Sequence, residues 1–134
     1  MIVADTSLIA SLLLSTTGTV AAEAVLEKDP EWIAPMLWRY EFKNVLATQI
    51  RLLGLPVDHA VALFEKAEEV TIEWDIEVEP GAILRLAHAK KLSAYDAEFL
   101  GLAVELKVKL VTVDRGILKA APGVALLPAA FASS

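Results

Sequence analysis

Apolar and polar positions follow two patterns that alternate along the chain. Short, almost uninterrupted apolar runs at 1–4 and 110–113 are typical of strands buried on both faces. Longer segments such as 36–53 carry apolar residues at helical spacing. Strands are predicted at 1–4, 31–34, 109–113 and 124–127, with 71–79 as an edge strand or an extended connector. Helices are predicted at 8–14, 20–28, 36–53, 56–70, 80–91, 93–106 and 115–120.

This alternation predicts an α/β fold in which a short, mainly parallel sheet is covered by helices on both faces. A length of 134 residues fits one domain over 1–134, and no linker or internal repeat divides it. The hydrophobic share of 56% predicts a well-filled core and an apolar surface for a partner. Most aromatic residues stand at positions expected in that core.

Composition removes several classes of site. The chain has no cysteine and only two histidines, which excludes disulfides and cysteine nucleophiles and argues against a zinc site. A net charge of -6 and scattered basic residues argue against an extended RNA groove on a single chain. No targeting or membrane-spanning segment is recognised, so we expect a soluble, cytoplasmic protein that does not bind membranes.

Two aspartates directly follow predicted strands. Asp5 comes after the first strand and Asp114 after the strand at 109–113. Ligands of an open parallel sheet bind outside the carboxyl ends of its strands, so both side chains should lie at the same edge. Each also precedes a predicted helix, where aspartate is a favoured N-cap, and helix capping is therefore the alternative interpretation.

Asp96 lies on the apolar face of its predicted helix, together with Phe99. Glu98 and Glu105 fall on the opposite face, which we expect to be solvated. The alternative is a capping box, in which Ser93 starts the helix and Asp96 closes the box.

Glu41 lies in the second turn of a long helix, on a face shared with Leu37 and Val45 and with no lysine or arginine. Burying a lone carboxylate there costs desolvation free energy unless a positively charged group or a cation lies beside it. Convergent carboxylates repel one another, and they either share protons or bind a hard cation. Oxygen-only ligands select Mg²⁺ or Mn²⁺, ions that support phosphodiester hydrolysis.

Four segments that carry these acids resemble a known family, and they occur in order along essentially the whole chain. They are IVADTS with Asp5, RYEFKNVL with Glu41, SAYDAEFLGLAVE with Asp96 and KLVTVDRGI with Asp114. Together they resemble the PIN domain, and in particular the small VapC-type toxins of bacteria and archaea.

The resemblance implies a PIN-like three-layer α/β/α sandwich and a Mg²⁺- or Mn²⁺-dependent RNA endonuclease. It implies a homodimer held inactive by a cognate VapB-type antitoxin. The catalytic and metal-binding quartet would be Asp5, Glu41, Asp96 and Asp114. Ser7 and Thr112 would support the quartet.

Three further positions bear on the site. Gly116 stands where some members of the family carry an additional acid, which leaves a second metal site open. Asn44, one turn from Glu41, is a candidate substrate contact, or an ordinary surface amide. Arg115 is a candidate contact for a substrate phosphate, or a solvated side chain.

Two other functions are compatible with parts of the pattern. A PIN-like module could keep its acids and bind RNA or protein without cleaving it. A phosphoacceptor receiver domain has a similar size and layer architecture, but it would require paired acids after the first strand and a lysine after a late one. Here Asp5 stands alone, and Arg115 with Gly116 follows the late strand.

Overall fold

The computed structural model describes all residues from 1 to 134 and contains five strands and eight helices. The strands are β1 (Ile2–Ala4), β2 (Trp32–Pro35), β3 (Thr71–Trp74), β4 (Leu110–Val111) and β5 (Ala125–Leu126). The helices are α1 (Thr6–Leu13), α2 (Thr19–Lys28), α3 (Leu37–Leu53), α4 (Val57–Val70), α5 (Pro80–Lys90), α6 (Ala94–Leu106), α7 (Arg115–Ala120) and α8 (Pro128–Ala132). None of the helices combines the length and the apolar composition that a bilayer span requires.

All five strands are parallel and lie in the order β3-β2-β1-β4-β5. The central strand β1 pairs with β2 through Ile2 and Trp32, and with β4 through Val3 and Leu110. The chain therefore winds outward from β1 to β3 and then returns to the other side of β1. The strand order reverses between β1 and β4, and a crevice forms at such a reversal in open α/β sheets.

One hydrophobic core of 27 buried residues spans the sheet and the helices on it. Every residue of β1 and β4 is buried, which is why these strands lack polar alternation. Helices α1 to α4 pack against one another, whereas α5 pairs with α6, and α6 also contacts β1, β2 and β4. The predicted α/β sandwich is confirmed, and its sheet is parallel throughout.

The C-terminal segment differs from the prediction, because helix α8 follows β5 where no element was expected. Pro128 occupies the first turn, where its missing N–H costs nothing, and alanines follow it. The helix packs on α2, and Lys28 Nζ donates a hydrogen bond of 2.7 Å to the Phe131 carbonyl. The open alternative at 71–79 is also settled, because only Thr71–Trp74 is a strand and the remainder is a connector.

Close packing between α5 and α6 fixes the position of α6, the helix that carries Asp96. Gly101 is buried in α6, and a Cβ atom built on it would lie 2.6 Å from Ile83 Cδ1 of α5. A glycine at this position lets the two helices approach closely.

Enlarging this contact should destabilise the fold. We expect Gly101→Val to lower the free energy of unfolding by about 1–3 kcal/mol, because the added methyl groups overlap Ile83. Urea unfolding measures the change. Gly123→Ala is the control, since a Cβ there meets nothing within 4 Å. Equal unfolding midpoints for the two variants would contradict the packing argument.

Candidate acidic site

Asp5 is held at the end of β1 by three hydrogen bonds. One carboxylate oxygen accepts from the Leu8 backbone N–H at 3.1 Å and from Ser7 Oγ at 2.7 Å, while the other accepts from Thr112 Oγ1. The residue is only 5% exposed. Asp5 therefore caps α1 with one oxygen while the other faces β4, so capping and a place in the site are compatible.

Ser7 and Thr112 link the ends of β1 and β4 across the reversal in strand order. Their hydroxyl oxygens are 3.3 Å apart. Ser7 Oγ accepts from the Val113 N–H at 3.1 Å, and Thr112 Oγ1 accepts from the Asp114 N–H at 2.9 Å. These two residues, predicted to support the quartet, both contact Asp5.

Asp114 follows β4 and caps α7 by accepting from the Ile117 N–H at 2.9 Å. The capping oxygen would lie 3.1 Å from a Cβ atom at Gly116. A larger side chain at 116 would therefore press on the Asp114 carboxylate. The glycine leaves that carboxylate room in its present position.

Glu41 reaches the same region from α3. Its Oε1 accepts a hydrogen bond of 2.6 Å from Thr6 Oγ1, which places this glutamate beside the residue that follows Asp5. Arg39 points away and binds Glu68 at 2.8 Å. Thr6 was not among the predicted site residues. The only indication in the sequence was its place inside the Asp-Thr-Ser segment.

Asp96 lies in the first turn of α6, where Ser93 Oγ accepts from its backbone N–H at 3.1 Å. The reciprocal bond to the Ser93 N–H does not form, so only half of the predicted capping box is present. Glu105 is exposed, as expected. The expectation that Glu98 is solvated was wrong, because this residue is half-buried. Burial is the main cause that raises the pKa of Glu98, and the negative charge of Glu77 raises it further.

The structure brings the four predicted acids to one cavity of about 350 Å³ at the carboxyl edge of the sheet. The predicted residues that line it are Asp5, Ser7, Glu41, Asn44, Asp96 and Asp114. Arg115, by contrast, is exposed and is not part of the cavity wall. The carboxylates that follow β1 and β4 therefore meet those of α3 and α6 at the carboxyl edge of the sheet, where the sequence predicted them.

No lysine, arginine or amino terminus forms an ion pair with these four acids. Burial raises the pKa of Asp5 to about 6, and the Asp114 charge adds to this while the three hydrogen bonds oppose it. Burial also raises the pKa of Glu41 and of Asp96, assisted by the charges of Asp96 and Asp114 respectively. The cavity thus concentrates negative charge that no positively charged protein group compensates.

The donor set suits a hard divalent cation, because every polar group around the cavity offers oxygen except the Asn44 amide nitrogen. As they stand, no three acidic side chains form a complete ligand set for a metal ion. Several of their oxygens are directed toward neighbouring hydroxyl groups and backbone N–H groups instead, as in Thr6 with Glu41. Carboxylates without a counterion repel one another, which favours such partners.

Comparison with known proteins identifies the family. Residues 2–122 match the family model of the PIN domain. The chain belongs to the PIN-domain family. PIN domains are generally metal-dependent nucleases.

The crystal structure of PAE2754 from Pyrobaculum aerophilum is similar to this PIN domain. Its TM-score is 0.77 over 98% of this chain and 92% of that chain, at 22% sequence identity. This likeness establishes a shared fold. None of the curated proteins matches the sequence.

Asp5 should make stability depend on pH. Its folded pKa of about 6 exceeds the ordinary value of 3.8, so the folded state binds the proton more tightly. Stability from this group is complete below pH 3.8 and is lost as the pH rises through about 6. Relative to wild type, Asp5→Asn should therefore gain roughly 2 kcal/mol in free energy of unfolding between pH 4 and pH 7.

Urea titrations of both proteins without divalent ions, at several pH values, measure this difference. The exposed Asp58→Asn is the control and should show no such trend. A difference between Asp5→Asn and wild type that stays constant with pH would contradict the burial of a charged Asp5.

Proposed function

We propose that this PIN domain is a Mg²⁺- or Mn²⁺-dependent RNA endonuclease that acts as the toxin of a toxin-antitoxin pair. The observation that carries the proposal is the meeting of four carboxylates in one cavity without a basic partner. Membership of a family of metal-dependent nucleases supports the reaction class. The choice of RNA and the toxin role rest on the resemblance of the four acidic segments to VapC-type toxins.

In this proposal Asp5, Asp96 and Asp114 hold the first metal ion, directly or through water. A bound Mg²⁺ or Mn²⁺ supplies Lewis-acid stabilisation of the phosphodiester and lowers the pKa of an attacking water. Glu41 binds a second ion or orients the attacking water.

The surrounding hydroxyl groups keep these carboxylates in place. Ser7 and Thr112 donate to the two oxygens of Asp5, which leaves that side chain a single orientation. Thr6 fixes Glu41 in the same way. Asn44 at the cavity wall is positioned to contact the substrate, whereas Arg115 could reach only a phosphate that lies outside the cavity.

Removing a carboxylate should abolish cleavage without unfolding the protein. We expect Asp5→Asn and Asp96→Asn to lower the rate of RNA cleavage in Mg²⁺ or Mn²⁺ by about 100-fold or more, since each removes a proposed metal ligand. Glu105→Gln is the matched control, because Glu105 lies on the same helix as Asp96 but is exposed. Gel assays on structured and unstructured RNA, with and without EDTA, measure the effect.

Cleavage that persists in EDTA, or full activity in both aspartate variants, would falsify the proposed site. RNA binding without any cleavage in Mg²⁺ or Mn²⁺ would instead favour the non-catalytic PIN-like module. Mg²⁺ should also raise the melting temperature of wild type more than that of Asp5→Asn, because only the intact site stabilises the folded state by binding the ion.

We also propose a cytoplasmic homodimer that binds a VapB-type antitoxin. Several large apolar side chains at the turn between α3 and α4 are exposed, as expected for a protein with partner surfaces. They are Leu52, Leu53, Val57 and Val61. We expect sedimentation velocity at micromolar concentration to show a dimer. A monomer at every concentration would contradict the dimer.

A further inference from the structure

A second cavity of about 410 Å³ lies beside the acidic one, at the ends of β2 and β3. We call it the tyrosine groove, and its walls are mostly apolar. The residues that matter here are Tyr40, Trp74, Glu77, Tyr95 and Glu98. Nothing in the proposed cleavage chemistry uses this groove.

Its two tyrosines are sequence neighbours of two members of the acidic quartet. Tyr40 precedes Glu41 on α3, and Tyr95 precedes Asp96 on α6. Successive helical residues point about 100° apart, so each helix directs its acid into one cavity and its tyrosine into the other. The expectation that aromatic residues lie mostly in the core fails for this pair, which is 60% and 64% exposed. The groove therefore presents two exposed aromatic side chains next to the proposed cleavage site.

Charge restricts what the groove can bind. Asp75, Glu77 and Glu98 line it, and no lysine or arginine does. The nearest cation that the structure shows is Lys43, which lies over the Tyr40 ring and not in the groove wall. A phosphate group would be repelled. A second copy of the chain bound through this face would bury the same acids from both copies in one two-fold interface, which is electrostatically unfavourable. A flat, uncharged ligand that carries hydrogen-bond donors can stack on the aromatic rings and also donate hydrogen bonds to the carboxylates.

We propose that the tyrosine groove binds one unpaired nucleobase of the RNA next to the cleaved phosphodiester, and that it prefers guanine. This inference rests on the proposed nuclease function. Tyr95 offers an exposed ring on which a base stacks, as single-stranded RNA is commonly recognised. Lys43 Nζ lies 4.7 Å from the centre of the Tyr40 ring, so Tyr40 contributes only the face that Lys43 leaves free. Glu98, with Glu77 nearby, accepts hydrogen bonds from the Watson–Crick edge of the base.

The preference follows from the pattern of donors on each base. Guanine presents a ring N–H and an exocyclic amino group side by side, which match the two oxygens of one carboxylate. Uracil presents a single N–H between two carbonyl oxygens, and these would face the acids of the groove. Guanine should therefore be favoured, and uracil should bind weakly.

Nucleoside binding tests the groove without depending on catalysis. NMR titration of the whole protein with guanosine and with uridine, in the absence of metal, follows the signals of Tyr40, Trp74 and Tyr95. We expect guanosine to bind about tenfold more tightly than uridine. Tyr95→Leu should weaken guanosine binding about tenfold through lost stacking, and Glu98→Gln should remove the preference for guanosine. Glu105→Gln, on the exposed face of the same helix, should change neither.

Equal binding of the two nucleosides, or guanosine binding that Tyr95→Leu leaves unchanged, would overturn the proposal. It would also be overturned if Tyr95→Leu altered the sedimentation coefficient without affecting nucleoside binding, because the groove would then be a contact between chains.

Cleavage mapping on RNA of mixed sequence separates this proposal from the proposed function. We expect guanine at one fixed position beside the cut in wild type, and a relaxed preference in Glu98→Gln. Cleavage by wild type without any base preference would overturn the proposal that the groove binds guanine, but it would agree with the proposed nuclease function. If wild type cleaves no RNA, the proposed nuclease function is wrong. The guanosine titration would then still test whether the tyrosine groove binds guanine.

Discussion

The interaction on which the structure of the site depends is the mutual repulsion of four carboxylates that share one cavity. No ion pair compensates them, and burial raises the pKa of three. Such an arrangement costs free energy, so the rest of the fold must hold it in place. The fully buried strands β1 and β4, and the close contact of α6 with α5, supply a rigid framework. Hydroxyl groups and backbone N–H groups then fix the individual oxygens.

The same residues serve folding and the site at once. Asp5 and Asp114 each start a helix with one oxygen while their carboxylates still face the cavity. A carboxylate has two oxygens and several lone pairs, so capping does not exhaust its capacity to bind. Helix capping and a place in the acidic cavity, which are alternatives from the sequence alone, therefore coexist in the structure.

Two neighbouring cavities divide the carboxyl edge of the sheet into regions of different chemistry. One offers oxygen ligands, and the other offers aromatic faces with acceptors at the rim. Both share α3 and α6 as walls, because consecutive residues of each helix point in different directions. The division would place the backbone of a nucleic acid over the acids and a base over the tyrosines.

The sequence by itself determined the order of strands and helices as far as β5, apart from the segment 71–79 that it left open, and it placed acids after β1 and β4. It could do so because apolar periodicity and capping residues act locally. It missed helix α8, the bond from Thr6 to Glu41, the half-buried Glu98 and the exposure of Tyr40 and Tyr95. Only the tertiary structure decided these features, since each depends on contacts between distant segments. The hydrogen bond from Thr112 to Asp5 joins residues 107 positions apart, and it exists because β1 pairs with β4. Local patterns show which residues can serve a site, whereas strand pairing determines which of them meet.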